Sequence, residues 1–412
     1  MFSRLIGAVR NGFASLSPHG LLRWTCFFYL GHIIFQGKIA PSELGAFWAI
    51  FCLGWAMARR EARFSFHILY YPLALYGVVS TLSAAAAEAR IHAGFESMLW
   101  FKMLIFPAAL ILYRTIPRMR GVALAAQIIF GVGIAAWGIF EFLVLDQREL
   151  ERRINGPSTH VMTFSGLLLP LSLMLLLLWW HQRKLWQLGA TVIVSLTLLL
   201  TFTRGVWLGW LFAVIVILVL ARPKLLFYLP IVLLWAIILM PLPLFGRMMS
   251  IFDAKQSSNL DRIRMLEAGV EMIRDYPLLG VGPANVKEVY PLYKKHDAPR
   301  FRPPHLHNNV VQLWAERGIL GLVAYLMLLV LFLRECARGW RSPGEGRMWA
   351  EIGIAVTAGL TWAGLFEFNF GDTEVFYLML ELFALVVASI EASTTASANE
   401  PVVVPVPAIS AA

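Results

Sequence analysis

Val206–Ala221 reads VWLGWLFAVIVILVLA, and shortly after it Leu225–Met240 reads LLFYLPIVLLWAIILM; neither stretch holds an Asp, Glu, Lys or Arg. About 20 consecutive apolar residues in a helix cross the roughly 30 Å hydrocarbon layer of a bilayer, and these two stretches have that character. Working outward, the whole chain of 412 residues is 59% hydrophobic and 15% charged, where soluble domains average about 45–50% and 25%. A single globular core has no room for that excess. The composition therefore excludes a soluble enzyme, a secreted disulfide scaffold and a disordered chain. The fold class it predicts is an all-α polytopic membrane protein.

Apolar windows of suitable length recur near residues 21–37, 43–58, 64–83, 95–113, 121–145, 159–180, 185–202, 205–221, 224–244, 310–333, 349–368 and 373–391. The net charge of +10 does not signal nucleic acid, because Lys and Arg cluster in short links between these windows. Alternate links hold seventeen basic residues: Arg4, Arg10, Arg23, Arg59, Arg60, Arg63, Arg114, Arg118, Arg120, Arg183, Lys184, Arg222, Lys224, Arg334, Arg338, Arg341 and Arg347. The opposite short links hold six: Lys38, Arg90, Arg148, Arg152, Arg153 and Arg204. Basic residues favour the cytoplasmic side, so the pattern predicts about twelve spans with both termini cytoplasmic. The basic first twenty residues read as a leader to a retained first span, not a removable signal peptide. Cys26, Cys52 and Cys336 suggest no disulfide framework.

This divides the chain into spans one to nine (1–244), an external loop (245–309), spans ten to twelve (310–391) and a Pro-rich tail (392–412) expected to be disordered. Loops as long as the central one are uncommon unless they are functional or disordered. Within it Leu260, Ile263, Leu266, Val270 and Ile273 recur at steps of three or four and predict an amphipathic helix ended at Pro277. Asn309-Val-Val-Gln312 reads as a capping box opening the tenth span.

Few ionisable residues fall within spans: Lys102, Glu141, Glu367 and Glu381. A transporter usually carries several near the bilayer midplane, so a site at the external surface is favoured. Three elements could build it. Arg204 sits at the tip of the tight hairpin Thr201–Gly205, where it fits either a cavity or a snorkelling flank. Arg262 falls on the inward side of the loop helix, where it needs an anion or a structural carboxylate partner. Pro303-Pro304-His305-Leu306-His307-Asn308 delivers His307 to a helix N-terminus, whose positive end favours neutral imidazole and offers N–H groups to anions; a surface histidine beside a cap is the alternative. A metal site from His305, His307, His296 and Asp297 lacks regular ligand spacing. Arginine forks pair with phosphate and histidine can deprotonate a hydroxyl, so together these residues suggest chemistry on a phosphate-bearing lipid.

His307-Asn308, nine intervening residues, then Gly318-Ile-Leu-Gly321 resembles the His-Asn…Gly-x-x-Gly signature of bacterial O-antigen ligases, whose superfamily includes O-antigen polymerases and protein O-oligosaccharyltransferases. The stretch from Arg262 through Pro277-Leu-Leu-Gly-Val-Gly282 and the triplet Thr203-Arg204-Gly205 are similar to further motifs of that family, while Leu266 stands where relatives often carry Trp. The resemblance covers about residues 195–325. It implies a GT-C-like glycosyltransferase of the bacterial inner membrane with a periplasmic site, no cofactor, no metal requirement and no nucleic-acid partner. The donor would be an undecaprenyl-diphosphate-linked glycan and the acceptor the lipid A-core oligosaccharide. Carried over, Arg204 and Arg262 would hold the diphosphate and His307 would activate the acceptor hydroxyl. His305 and Asn308 are secondary substrate-binding candidates. A relatively short chain with one large external loop leans toward ligase over polymerase or protein-modifying enzyme. A lipid or glycan transporter and a non-catalytic assembly protein are the competing classes.

Overall fold

The computed structural model describes residues 20–87, 94, 99–145, 153–158, 160–238, 241–250, 253, 256–342 and 344–398; among these the chain is helical with no strand. The basic leader, Arg90, Arg148, Arg152 and the tail beyond residue 398 lie outside the described residues. The first half comprises α1 (Gly20–Ile34), α2 (Ile39–Ala58), α3 (Tyr70–Ala86), α4 (Ile105–Thr115), α5 (Arg118–Phe140), α6 (Val161–Gln182) and α7 (Leu185–Leu200). The second comprises α8 (Arg204–Ala221), α9 (Leu229–Ile238), α10 (Leu242–Met249), α11 (Ser257–Asp275), α12 (Val286–Tyr293), α13 (Asn309–Trp340), α14 (Glu345–Ala363) and α15 (Thr373–Ala398).

Each predicted apolar window overlaps helix. Among the described residues, six helices are long and apolar enough on their own to cross a membrane: α2, α5, α6, α8, α13 and α15. Hydropathy explains their layering. Both α6 and α15 are apolar all round, and 89% of the apolar window of each is buried inside the protein, whereas only 28% is buried in α8. The first two form the centre, and α8 lies at the edge. Around this centre α1 pairs with α2, α8 with α14, and α13 with α3 and α14.

Three expectations are revised. The ninth window is not one helix: α9 covers Leu229–Ile238, Pro241 is extended at ψ 142°, and α10 starts directly behind it. The capping residue of α13 is Asn308, one position earlier than expected; its side chain accepts from Val311 N at 3.0 Å. Gln312 instead accepts from the backbone N of Leu306 at 2.7 Å. Lastly, α15 continues as helix to Ala398, so the first residues assigned to the tail are ordered.

The loop helix α11 buries Asp261, Met265, Ala268, Gly269 and Met272. Its more regular apolar line does not form the core: Ile263 and Val270 are each 42% exposed. Met265, Ala268 and Met272 pack with Val281, Tyr290 and Leu306 in a small core of their own. The same periodicity thus describes two apolar faces, and only one of them is covered by protein.

The loop is locked to α13 through two glycines. Gly318 breaks α13 at φ 66°, and a Cβ there would stand 1.9 Å from the carbonyl oxygen of Leu278. Gly280, at φ 68°, would place a Cβ 2.3 Å from the backbone of Glu316. Only glycine tolerates both the conformation and the approach. The contact is sealed by Val281 N to Ala315 O at 2.8 Å, Gly282 N to Glu316 O at 2.9 Å and Ile319 N to Pro277 O at 2.9 Å. Gly318 therefore admits a loop backbone.

Candidate active site

Four arginines gather at the loop end of the bundle. Arg204 opens α8 and reaches the start of the loop, donating to Ser250 O at 2.7 Å, Gln256 Oε1 at 2.8 Å and Asn259 Oδ1 at 2.8 Å. Arg153 donates to Thr201 O at 3.1 Å and Thr203 Oγ1 at 2.9 Å. Arg247 on α10 donates to Phe202 O at 3.3 Å. With Arg262 on α11, these side chains surround one narrow space that also touches Glu367.

Among the described residues none of the four forms a salt bridge with a carboxylate, and Arg262 makes no hydrogen bond. Their neighbours in the loop are paired: Arg264 with Asp297 at 2.6 Å and Arg300 with Asp261 at 3.0 Å. Burial lowers the pKa of Arg153 to about 10, helped by repulsion from Arg247, Arg262 and Arg204. Burial lowers Arg262 as well, against the attraction of Glu367. Guanidinium stays charged at neutral pH, so the cluster is uncompensated positive charge in a partly dry place, and a phosphate-type anion satisfies it.

Two wider cavities share lining residues with this narrow space. One, of about 600 Å³, is lined by Arg153, Phe202, Leu242, Arg247 and Gln256. The other, of about 300 Å³, is lined by Arg204, Arg262, Ile263, Leu266, His307 and Phe366 among others. The exposed apolar line of α11 is thus partly a cavity wall, which its periodicity alone could not distinguish from core.

His307 sits at φ 51°, a left-handed conformation that a non-glycine residue rarely adopts. Its Nδ1 lies 2.8 Å from Glu367 Oε2, and His305 Nε2 lies 3.3 Å from Glu367 Oε1. Burial pushes the Glu367 carboxyl up, but the hydrogen bond from His307 and the charges of His307, His305 and Arg262 outweigh it and hold its pKa at about 2. Burial lowers His305 to about 4 despite the attraction of Glu367.

These neighbours fix the tautomers. An ionised carboxylate only accepts, so Nδ1 of His307 carries the proton and Nε2 keeps its lone pair. The Nδ1 of His305 accepts from His307 N at 3.3 Å, leaving the His305 proton on Nε2, toward Glu367. The result is a histidine oriented by a carboxylate, beside a cluster of arginines that form no salt bridge with a carboxylate among the described residues.

Glu367 was expected inside the eleventh span. The structure places it in the connection between α14 and α15. That connection is pinned to the start of α13: Asn309 N donates to Gly364 O at 2.6 Å, Asn308 Nδ2 to Leu365 O at 3.0 Å and Asn309 Nδ2 to Asn369 Oδ1 at 2.7 Å. Asn308 thus uses both ends of its amide, one on the cap of α13 and one on this connection. Arg204, Arg262 and His307 meet at one cavity as the sequence suggested, and His305 flanks His307 with ring centroids 4.3 Å apart. Asp297 pairs with Arg264, away from the two histidines.

Glu367, Arg153 and Arg247 were missed as site residues. The signal for Glu367 was a carboxylate in an apolar window, and for Arg153 a basic residue on the side poor in them.

No curated protein matches the chain. The model of a family described as O-antigen ligase matches residues 189–326, a stretch that supplies Arg204, Arg247, Arg262, His305 and His307 and both of the interlocking glycines. Over that stretch the chain is similar to the O-antigen ligase family.

Proposed function

We propose that this protein is an O-antigen ligase, a glycosyltransferase that moves a glycan from an undecaprenyl-diphosphate carrier to the lipid A-core oligosaccharide at the periplasmic face of the inner membrane. The observation that carries this reading is the Glu367-oriented His307 in the same cavity as arginines without carboxylate partners. In the reaction, the acceptor hydroxyl attacks the anomeric carbon of the donor sugar, and its proton passes to His307 Nε2. The bond from that carbon to the diphosphate oxygen breaks, and its electron pair stays on the diphosphate. Arg153, Arg204, Arg247 and Arg262 bind that leaving group and stabilise its growing charge. Glu367 holds the ring in the productive tautomer and favours the imidazolium that forms. The charge bias of the links, which predicts about twelve spans with cytoplasmic termini, supports a site on the outer side of the membrane.

The test is transfer in liposomes by the purified full-length chain, with polyprenyl-diphosphate-linked glycan as donor and lipid A-core as acceptor. A glycolipid made by wild type and absent with His307→Ala supports the reading. Transfer only to a second lipid-linked repeat or only to a peptide assigns polymerase or protein modification in its place. Transport of intact donor by His307→Ala at the wild-type rate, with no transfer to any acceptor, overturns the enzyme reading.

A further inference from the structure

We propose that His305, His307 and Glu367 also form a binding site for a divalent transition-metal ion, zinc above all, and that the ion inhibits glycan transfer. One ligand atom from each of the three lies within 4.8 Å of the other two. His305 Nε2 is 3.3 Å from Glu367 Oε1, and His307 Nδ1 is 2.8 Å from Glu367 Oε2. Donors around a tetrahedral zinc ion, each about 2.0–2.1 Å from it, stand about 3.3 Å apart, so the His305 separation matches that spacing and the His307 separation is shorter by about 0.5 Å. Two imidazoles and a carboxylate suit zinc. All three side chains are partly accessible, with His305 the most exposed at 26%, and His307 lines the open cavity that would supply a fourth ligand from water.

The binding costs little in existing bonds. The two N–H bonds to Glu367 are replaced by metal bonds, and the His305 contact with the His307 backbone N is given up; at 3.3 Å it is a weak one.

Inhibition follows from the tautomer and rests on the reading of His307 Nε2 as the base. An ion on Nδ1 moves the ring proton to Nε2, with no net proton released. Nε2 then presents an N–H where the acceptor hydroxyl needs a lone pair. The neighbouring arginines oppose a cation, so removing the charge of Arg262 strengthens binding.

The experiment uses the purified full-length chain with any affinity tag removed, titrated with Co²⁺ for its visible absorption and then with Zn²⁺ as competitor. One ion per chain is expected, with affinity reduced by about tenfold or more in His305→Ala and in Glu367→Gln. Affinity should increase in Arg262→Gln. Metal-free melting curves establish that each variant is folded. Saturation without a visible tetrahedral spectrum, or affinity unchanged in both His305→Ala and Glu367→Gln, overturns the site. Wild-type transfer is then measured against Zn²⁺ occupancy. Loss that tracks occupancy and is reversed by EDTA supports inhibition. Binding at the site with undiminished transfer overturns both inhibition and the role of Nε2 as base. If wild type transfers to no acceptor at all, the proposed function fails, while the titration still decides the metal site.

Discussion

Arginines occupy both ends of this bundle, and the two ends treat them differently. At the end carrying the basic links, Arg114 meets Glu391 at 2.5 Å, Arg222 meets Glu351 at 2.7 Å, and Arg338 meets Glu335 at 2.7 Å. Glu351, 1% exposed, also draws in His181 and Arg347. At the loop end, Arg153, Arg204, Arg247 and Arg262 crowd one another around a cavity and share only Glu367, which is held by histidines. The three arginines at the first end are neutralised within the protein, and the pairs of Arg114 and Arg222 tie helices together. Charge at the second is left for something outside the chain. On the proposed function, the paired arginines hold the fold together and the clustered ones bind the donor.

The largest effect should come from the group nearest the chemistry. We predict that His307→Ala lowers transfer by about 10²–10⁴-fold without weakening retention of the diphosphate lipid; rates and lipid binding measured on the same preparation test this. A variant that transfers normally would leave the arginine cluster as a binding site without a base.

Next is Glu367→Gln, whose amide can donate to Nδ1 and so favour the unproductive tautomer. A loss of the order of 10²-fold or more is expected, with partial recovery in Glu367→Asp. Equal activity of the two variants would make the carboxylate a packing feature. A third comparison replaces arginines while keeping their charge. Arg204→Lys or Arg262→Lys should cost about 10²–10³-fold in transfer, because an ammonium does not reproduce the two-pronged contact with an oxyanion. Arg222→Lys at the other end should leave turnover per folded molecule unchanged. Similar losses at both ends would abolish the distinction.

The smallest effect is on stability, and its direction is opposite at the two ends. Arg222→Met leaves the buried Glu351 with fewer partners and is expected to destabilise by about 1–3 kcal/mol. Arg262→Gln relieves repulsion and should keep or raise the melting temperature while losing activity. Thermal unfolding in detergent distinguishes them; a lower melting temperature for Arg262→Gln would count against an uncompensated cluster.

Much of the site was legible because its parts are local in sequence. A short hairpin presents Arg204, and a proline pair followed by a helix cap presents His307. The two glycine-bearing motifs were legible as well, but not their purpose, since Gly280 is explained only by meeting the backbone of Ala315 and Glu316, and Gly318 by meeting that of Leu278 and Leu279. The amphipathic period of α11 was visible, yet its best apolar line borders a cavity and its core face is the neighbouring one.

By itself the sequence determined that the chain belongs in a membrane and which motifs it shares with a family. Those properties are sums over neighbouring residues, and hydropathy, charge bias and motif spacing read them directly. Only the tertiary structure decided that Glu367 orients His307 across 60 positions, and that Arg153 and Arg247 join Arg204 and Arg262. Such pairings depend on how helix ends and connections converge at one end of the bundle. A hydropathy window registers Glu367 as one carboxylate in an apolar run, and the folded chain places it beside its histidine.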